Sequence, residues 1–392
     1  MYLKIFTPVF FLLLLQIIAF LIYDGFILNV SNSVFFLVIF GYLAILISII
    51  ITKNYFGING RLDRYILNKN IKLISIFIIL FFLLRPIIVM IGISSTLGQD
   101  YIRYNFFYDK QLQIQIFGSI FLSSFTLSYI IPISWFLVVL LIGSKDKFGV
   151  ILFYIFLLAL VVFNASYAGR FNMYFALLMI YFRSVYIGDG FNKFFLKNSY
   201  IFIFVFIYSF FILFIRQNKN SNDFGYNDLL MLLEYHILQP FFLSQKIMSS
   251  EIVFEGFPFK VVLTSFFAPI YYILGFKGDS IPISYYPQIL NDYTLYSQYT
   301  GSIYNAYATF MAYFYIDFGF FYPLAIVFSW LVILFFSLMI KSKTLRVLYL
   351  IFISFSLYAS LFQAFILSTG AMLIIGLFPI ICRLSEKYIL RY

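Results

Sequence analysis

Apolar residues run along this chain in blocks of roughly twenty, each ended by a short polar or charged connection. Such blocks lie near 5–23, 33–52, 71–94, 115–142, 148–167, 171–187, 200–216, 318–340, 347–366 and 369–382. A block of about 20 residues is the length a helix needs to cross a bilayer. The pattern therefore predicts ten membrane helices, the sixth and last of them short. Arg216 to Asp317 breaks it: about a hundred residues that are only half apolar. Two apolar pieces within it, 229–248 and 261–276, carry charge or proline (Glu234, His236, Pro240; Pro269). They are expected to be interfacial or re-entrant helices, and full crossings by both would raise the count to twelve. The chain divides into an N-terminal bundle (1–216), a large loop (217–317) and C-terminal helices with a tail (318–392).

Composition agrees. The chain is 64% hydrophobic and 10% charged, with mean hydropathy +1.00, which only a lipid solvent accommodates. A single cysteine, Cys382, excludes an internal disulfide. The N-terminus has no small-residue cleavage site and is read as a retained first helix.

The net charge of +11 points to no nucleic acid, because its distribution follows the membrane. One set of alternate connections holds seventeen basic residues against four acidic, and the opposite set eight against eleven. The positive-inside rule then puts both termini in the cytoplasm and the long loop outside.

The loop holds the only histidine, His236, seven acidic residues before Asp317, and half of the prolines. His236 is the expected proton acceptor because it titrates near neutrality, with Glu234 and Asp317 as the other candidates. Glu234 and His236 are two apart and cannot face one site from a regular helix. Asp317 is expected to cap the following helix or to pair with an arginine, ahead of acting as a base. Arg85, beside Pro86, falls about 18 Å into its span, where an arginine costs at least about 2.5 kcal/mol. It is expected to face a partner or a wet cavity. Arg170, after Asn164-Ala-Ser-Tyr-Ala-Gly, and Arg216 mark the outer ends of two spans. Together the three form an expected phosphate pocket, since guanidinium forks suit phosphate oxygens. The opposing reading makes each an interfacial anchor. No nucleotide loop or nucleophile elbow occurs, no metal-binding pattern shows and no cofactor is implied. A metal-free reaction driven by positioning and charge remains.

From Tyr304 to Gly319 the pattern Asn-Ala-Tyr-x-x-Phe…Tyr-x-Asp-Phe-Gly resembles the hallmark of the oligosaccharide repeat-unit polymerases, the O-antigen or Wzy-type family. The layout of many spans and one large late loop is similar too. The Arg-x10-Gly loop pattern of some members is absent. The resemblance implies an all-α polytopic membrane protein, like the GT-C-type glycosyltransferases, in the bacterial cytoplasmic membrane. It further implies transfer of a growing glycan from undecaprenyl diphosphate to the next lipid-linked unit, with a chain-length regulator as a partner. Arg85, Arg170 and Arg216 would hold the diphosphate, His236, Glu234 or Asp317 would take the proton, and Tyr304, Asn305 and Tyr307 would contact substrate. The alternatives are a flippase or other transporter of lipid-linked sugars, and a ligase-like or acyl-transferring enzyme.

Overall fold

The computed structural model describes residues 1–58, 62, 64–106, 109–167, 169, 171–188, 194, 199–201, 203, 205, 207–208, 226–249, 262, 274, 293–304, 308–363, 365–385 and 389–391. Within these the chain is a helical bundle. The helices are α1 (Tyr2–Ile22), α2 (Asn32–Thr52), α3 (Lys69–Leu97), α4 (Gln99–Asn105), α5 (Lys110–Phe117), α6 (Ile120–Leu141), α7 (Lys147–Ala165) and α8 (Phe171–Ile187). After them come α9 (226–249), α10 (Phe310–Phe318), α11 (Tyr322–Met339), α12 (Lys343–Gln363) and α13 (Thr369–Ser385). Among the described residues seven helices are long and apolar enough to cross a membrane, α10 and α11 counting as one; α8 and α13 are shorter apolar helices. The protein is an all-α polytopic membrane protein. Most of the span expected at 200–216 and the loop piece expected at 261–276 lie outside the described residues.

Helix α12 is the pillar of the bundle. Every residue from Val347 to Ser356 is essentially inaccessible. Small hydroxyl residues let its neighbours approach and bind backbone at depth: Ser354 donates to the carbonyl of Ile5 at 2.7 Å, and Ser360 accepts from the Ile366 N–H at 2.6 Å. The outer helices show the reverse pattern, with Phe11, Ile51, Phe81, Phe121, Leu158 and Phe335 exposed. Only hydrocarbon makes a stable solvent for such faces.

Three wide π-helical turns interrupt the helices, at Ile79–Leu84, Thr126–Ile130 and Glu234–Leu238. Each ends two residues before a proline: Pro86, Pro132 and Pro240. Proline lacks the amide for the carbonyl four residues back, and its ring collides with that carbonyl; one wide turn relieves the collision. Carbonyls freed this way need partners within a bilayer. Gln16 donates to the carbonyl of Ile237; at the second wide turn Gly370, with no side chain, lets α13 pack close to the carbonyls of Ser128 and Tyr129.

Connections that alternate along the chain meet at opposite ends of the bundle. At one end Lys145 donates its N–H to Tyr65 at 2.9 Å. There β1 (Ile66–Leu67) also pairs antiparallel with β4 (Leu390–Arg391). At the other end β2 (Leu295–Tyr296) and β3 (Ile303–Tyr304) form a small hairpin. Ile27 donates to Tyr296 at 3.0 Å and Gln298 to Gly25 at 2.8 Å, which docks this hairpin on the end of α1.

Candidate functional site

The hairpin end of the bundle holds a cluster of buried polar groups, and α9 organises it. Glu234 and His236 share one π-turn and point to opposite sides, as their spacing predicts. Both are buried.

Glu234 faces the end of α1 and the hairpin. One carboxylate oxygen accepts from the Tyr23 hydroxyl and from Ser297 Oγ at 2.5 Å. The other accepts from Thr300 Oγ1 and the Tyr304 hydroxyl, each at 2.8 Å. Four hydroxyl donors from two separate stretches of chain, the end of α1 and the hairpin, therefore converge on one carboxylate. Ser297 also receives the Thr300 N–H at 3.2 Å, which fixes the turn, and Gly301 completes it with a positive φ of 63°. Burial pushes the Tyr304 phenol above its ordinary range; the hydrogen bond with Thr300 opposes this, and the nearby Glu234 carboxylate adds to it.

His236 faces α8. Its ring lies 5.4 Å from that of Phe171, 5.1 Å from Tyr174 and 5.0 Å from Tyr235, all edge-on. This setting is buried and aromatic, unlike the wet face of an interfacial helix. Phe171 is the first residue of α8 and follows Arg170 in sequence. The turn before α8 is held by Asn164, whose amide nitrogen donates to the Tyr167 hydroxyl at 2.5 Å while its oxygen accepts the Asn172 N–H at 3.3 Å. Gly169 is packed onto that amide, where any Cβ would collide.

Asp317 is buried in the last turn of α10 and accepts the Val262 N–H at 2.7 Å. It does not cap the next helix: α11 follows a bend at Gly319 and has no side-chain cap. Val262 and the α10 residues Phe310 and Phe314 line an almost wholly apolar groove of about 420 Å³, which also takes in Trp330, Leu357 and Met372.

Arg85 is exposed, with its guanidinium against Gly118, the residue that ends α5. A cation there meets the negative end of the α5 dipole. Two arginines that the sequence reading merely counted do the same. Arg183 is buried and donates to the carbonyls of Leu141 and Ile142 at the end of α6. Arg346 donates to Ile340, at the end of α11, at 2.6 Å and to Phe56 at 3.3 Å. Arg170, Arg216, Asn305 and Tyr307 lie outside the described residues.

Sequence reasoning overlooked Gln16, Tyr23, Ser297 and Thr300. Gln16 carried a usable signal, as a lone amide within an otherwise apolar span. The other three carried none, since hydroxyl residues near a loop are common. Among the described residues no group of three or more His, Cys, Asp or Glu side chains is placed to hold a metal ion.

No protein family, curated protein or solved structure matches this chain.

Proposed function

We infer that this protein is a membrane glycosyltransferase that polymerises lipid-linked oligosaccharide repeat units at the outer face of a bacterial cytoplasmic membrane. The reading takes both termini as cytoplasmic, ten spans, and a GT-C-like organisation. The observation that carries it is the contact between His236 and Phe171. It brings the chain's only imidazole to the first residue of α8, beside the helix N-terminus that the Arg170 position opens. A helix N-terminus favours an anion, and an imidazole accepts a proton.

In this reading the hydroxyl of the acceptor sugar attacks the anomeric carbon of the donor glycan. Its proton passes to His236 as the bond from that carbon to the diphosphate oxygen breaks. The polyprenyl diphosphate leaves with the bonding electrons, its charge offset by the α8 N-terminus and by Arg170 and Arg216. Tyr174 and Tyr235, both half-buried beside His236, offer ring faces to sugars. The apolar groove behind α10 suits a hydrocarbon chain. Arg85 enters with less weight, because the end of α5 already accounts for its position.

The test is complementation. A host strain lacking this gene is restored with wild type or with His236→Ala, and its surface polysaccharide is resolved on a gel. A ladder with wild type and single-repeat glycan with His236→Ala supports the reading. A deletion strain that shows no surface glycan at all, with lipid-linked units retained inside, replaces it with transport. A full ladder from His236→Ala removes the histidine from the chemistry.

A further inference from the structure

We propose that Glu234 is a positioning residue and not the proton acceptor: with Tyr23 it latches the β2–β3 hairpin onto the bundle and so sets Tyr304 against the aromatic wall beside His236. The inference rests on the reading of function above, and it reassigns one of the three candidate bases.

The argument begins with the count of acceptor sites. A carboxylate offers about four lone-pair directions, and Glu234 fills four with the hydroxyls of Tyr23, Ser297, Thr300 and Tyr304. A base that takes a substrate proton needs a free direction aimed at substrate, and this one is surrounded by its own protein. A buried carboxylate so fully satisfied is a rigid fastener. The segments it joins are far apart in sequence, so one side chain closes two long loops.

The fastener leads to the candidate base through packed rings. Tyr304 lies 6.2 Å from Tyr235 and is edge-on to Phe26 at 5.8 Å. Tyr235 in turn lies 5.0 Å from His236. Tyr304 also opens the Asn-Ala-Tyr stretch, so the latch sets where that stretch begins. The end of α1 makes a second attachment, since Tyr299 donates to Asp24 and Gln298 to the carbonyl of Asp24 at 2.9 Å. Asp24 and Glu234 thus hold the two sides of one turn.

Two measurements test this. The first uses purified full-length protein and the lipid-linked repeat unit extracted from a host strain lacking this gene, with initial rates followed across pH. Glu234→Gln keeps the shape and some acceptor capacity. It is expected to slow extension by about tenfold, the cost of one or two imperfect buried hydrogen bonds, with the wild-type pH profile retained. Tyr23→Phe is expected to slow it comparably, and the double variant to fall short of the product of the two losses because both break one latch. The proposal is overturned if Glu234→Gln is as inactive as His236→Ala while Tyr23→Phe runs at the wild-type rate. That is the pattern of a base with a dispensable neighbour.

The second measurement needs no activity. Leu295, fully buried in β2, is changed to Cys in a Cys382→Ser background and probed with a membrane-impermeant maleimide. Protection with Glu234 present and labelling in Glu234→Ala support the latch; equal protection in both overturns it. A wild type that extends nothing, together with labelling that depends on Glu234, would sink the functional reading and leave the latch standing.

Discussion

The side-chain amide of Gln16 donates to the backbone carbonyl of Ile237 across 3.2 Å, although 221 residues separate them. Its oxygen accepts the Tyr42 hydroxyl at 2.6 Å. One amide inside the bundle thereby ties α1 to α2 and satisfies a carbonyl in the wide turn before Pro240.

Gln16→Leu is expected to keep the volume and remove both bonds, leaving a carbonyl and a hydroxyl buried and unsatisfied. The expected cost is about 1–3 kcal/mol. Thermal unfolding of the purified protein in detergent should show a lower Tm, with Tyr42→Phe losing less. An unchanged Tm for Gln16→Leu would mean that water reaches this layer.

Gly370 starts α13 against α6. An added Cβ would stand 2.9 Å from the Ser128 carbonyl oxygen and 3.0 Å from both Pro132 Cβ and the Tyr129 carbonyl oxygen. Two of these contacts are backbone and cannot rotate away. Gly370→Ala is expected to cost about 1–3 kcal/mol, as overpacking does, and to lower Tm. Gly92→Ala, within α3 and with nothing inside 4 Å of the added Cβ, is the control and should not lower Tm.

Gly118 has a φ of 92° and ends α5 beside Arg85. Gly118→Ala should cost about 1–2 kcal/mol from backbone strain and displace the guanidinium, which would lie 3.1 Å from the new Cβ. Arg85→Lys keeps the charge at the helix end and should be the milder change. If Arg85→Lys abolishes the proposed polymerisation while Tm stays at the wild-type value, the guanidinium fork is required by substrate and its capping role is secondary.

Asp146 caps α7 through the Gly149 N–H at 3.0 Å and pairs with Lys72 at 2.7 Å. Burial would raise its carboxyl, but Lys72, Ser144 and the Gly149 N–H outweigh that and hold it below its ordinary value. A depressed carboxyl contributes stability above its unfolded pKa of about 3.9, and that contribution is lost as pH falls through the lower folded value. Asp146→Asn keeps a capping oxygen and removes the charge. It should lower stability at pH 7 by at most about 1 kcal/mol, since the pair is partly exposed. The gap from wild type should narrow progressively as pH falls below about 4; a gap of the same size throughout the acid range would show that charge is not its source.

The helices were legible because a bilayer imposes one rule on every residue that crosses it. Runs such as Tyr2–Ile22 and Asn32–Thr52 match their apolar blocks closely. The opposition of Glu234 and His236 was legible too, because two residues of helical advance reverse the direction of a side chain whatever surrounds it. The prolines marked where helices would yield, though not that Pro86, Pro132 and Pro240 would each be preceded by one wide turn.

Pairing was not legible. Nothing in a linear reading brings Tyr23, Ser297, Thr300 and Tyr304 onto one carboxylate, because a hydrogen bond depends on separation in space and these residues span most of the chain. The arginines show the same limit. Charge and depth made Arg85 a candidate, whereas Arg183 and Arg346 were only counted, yet all three lie at helix C-termini. Which residues must leave water was determined by their own chemistry, one at a time. Which of them meet was decided by packing, because the partner of a buried polar group is whatever the folded neighbours bring within about 3 Å.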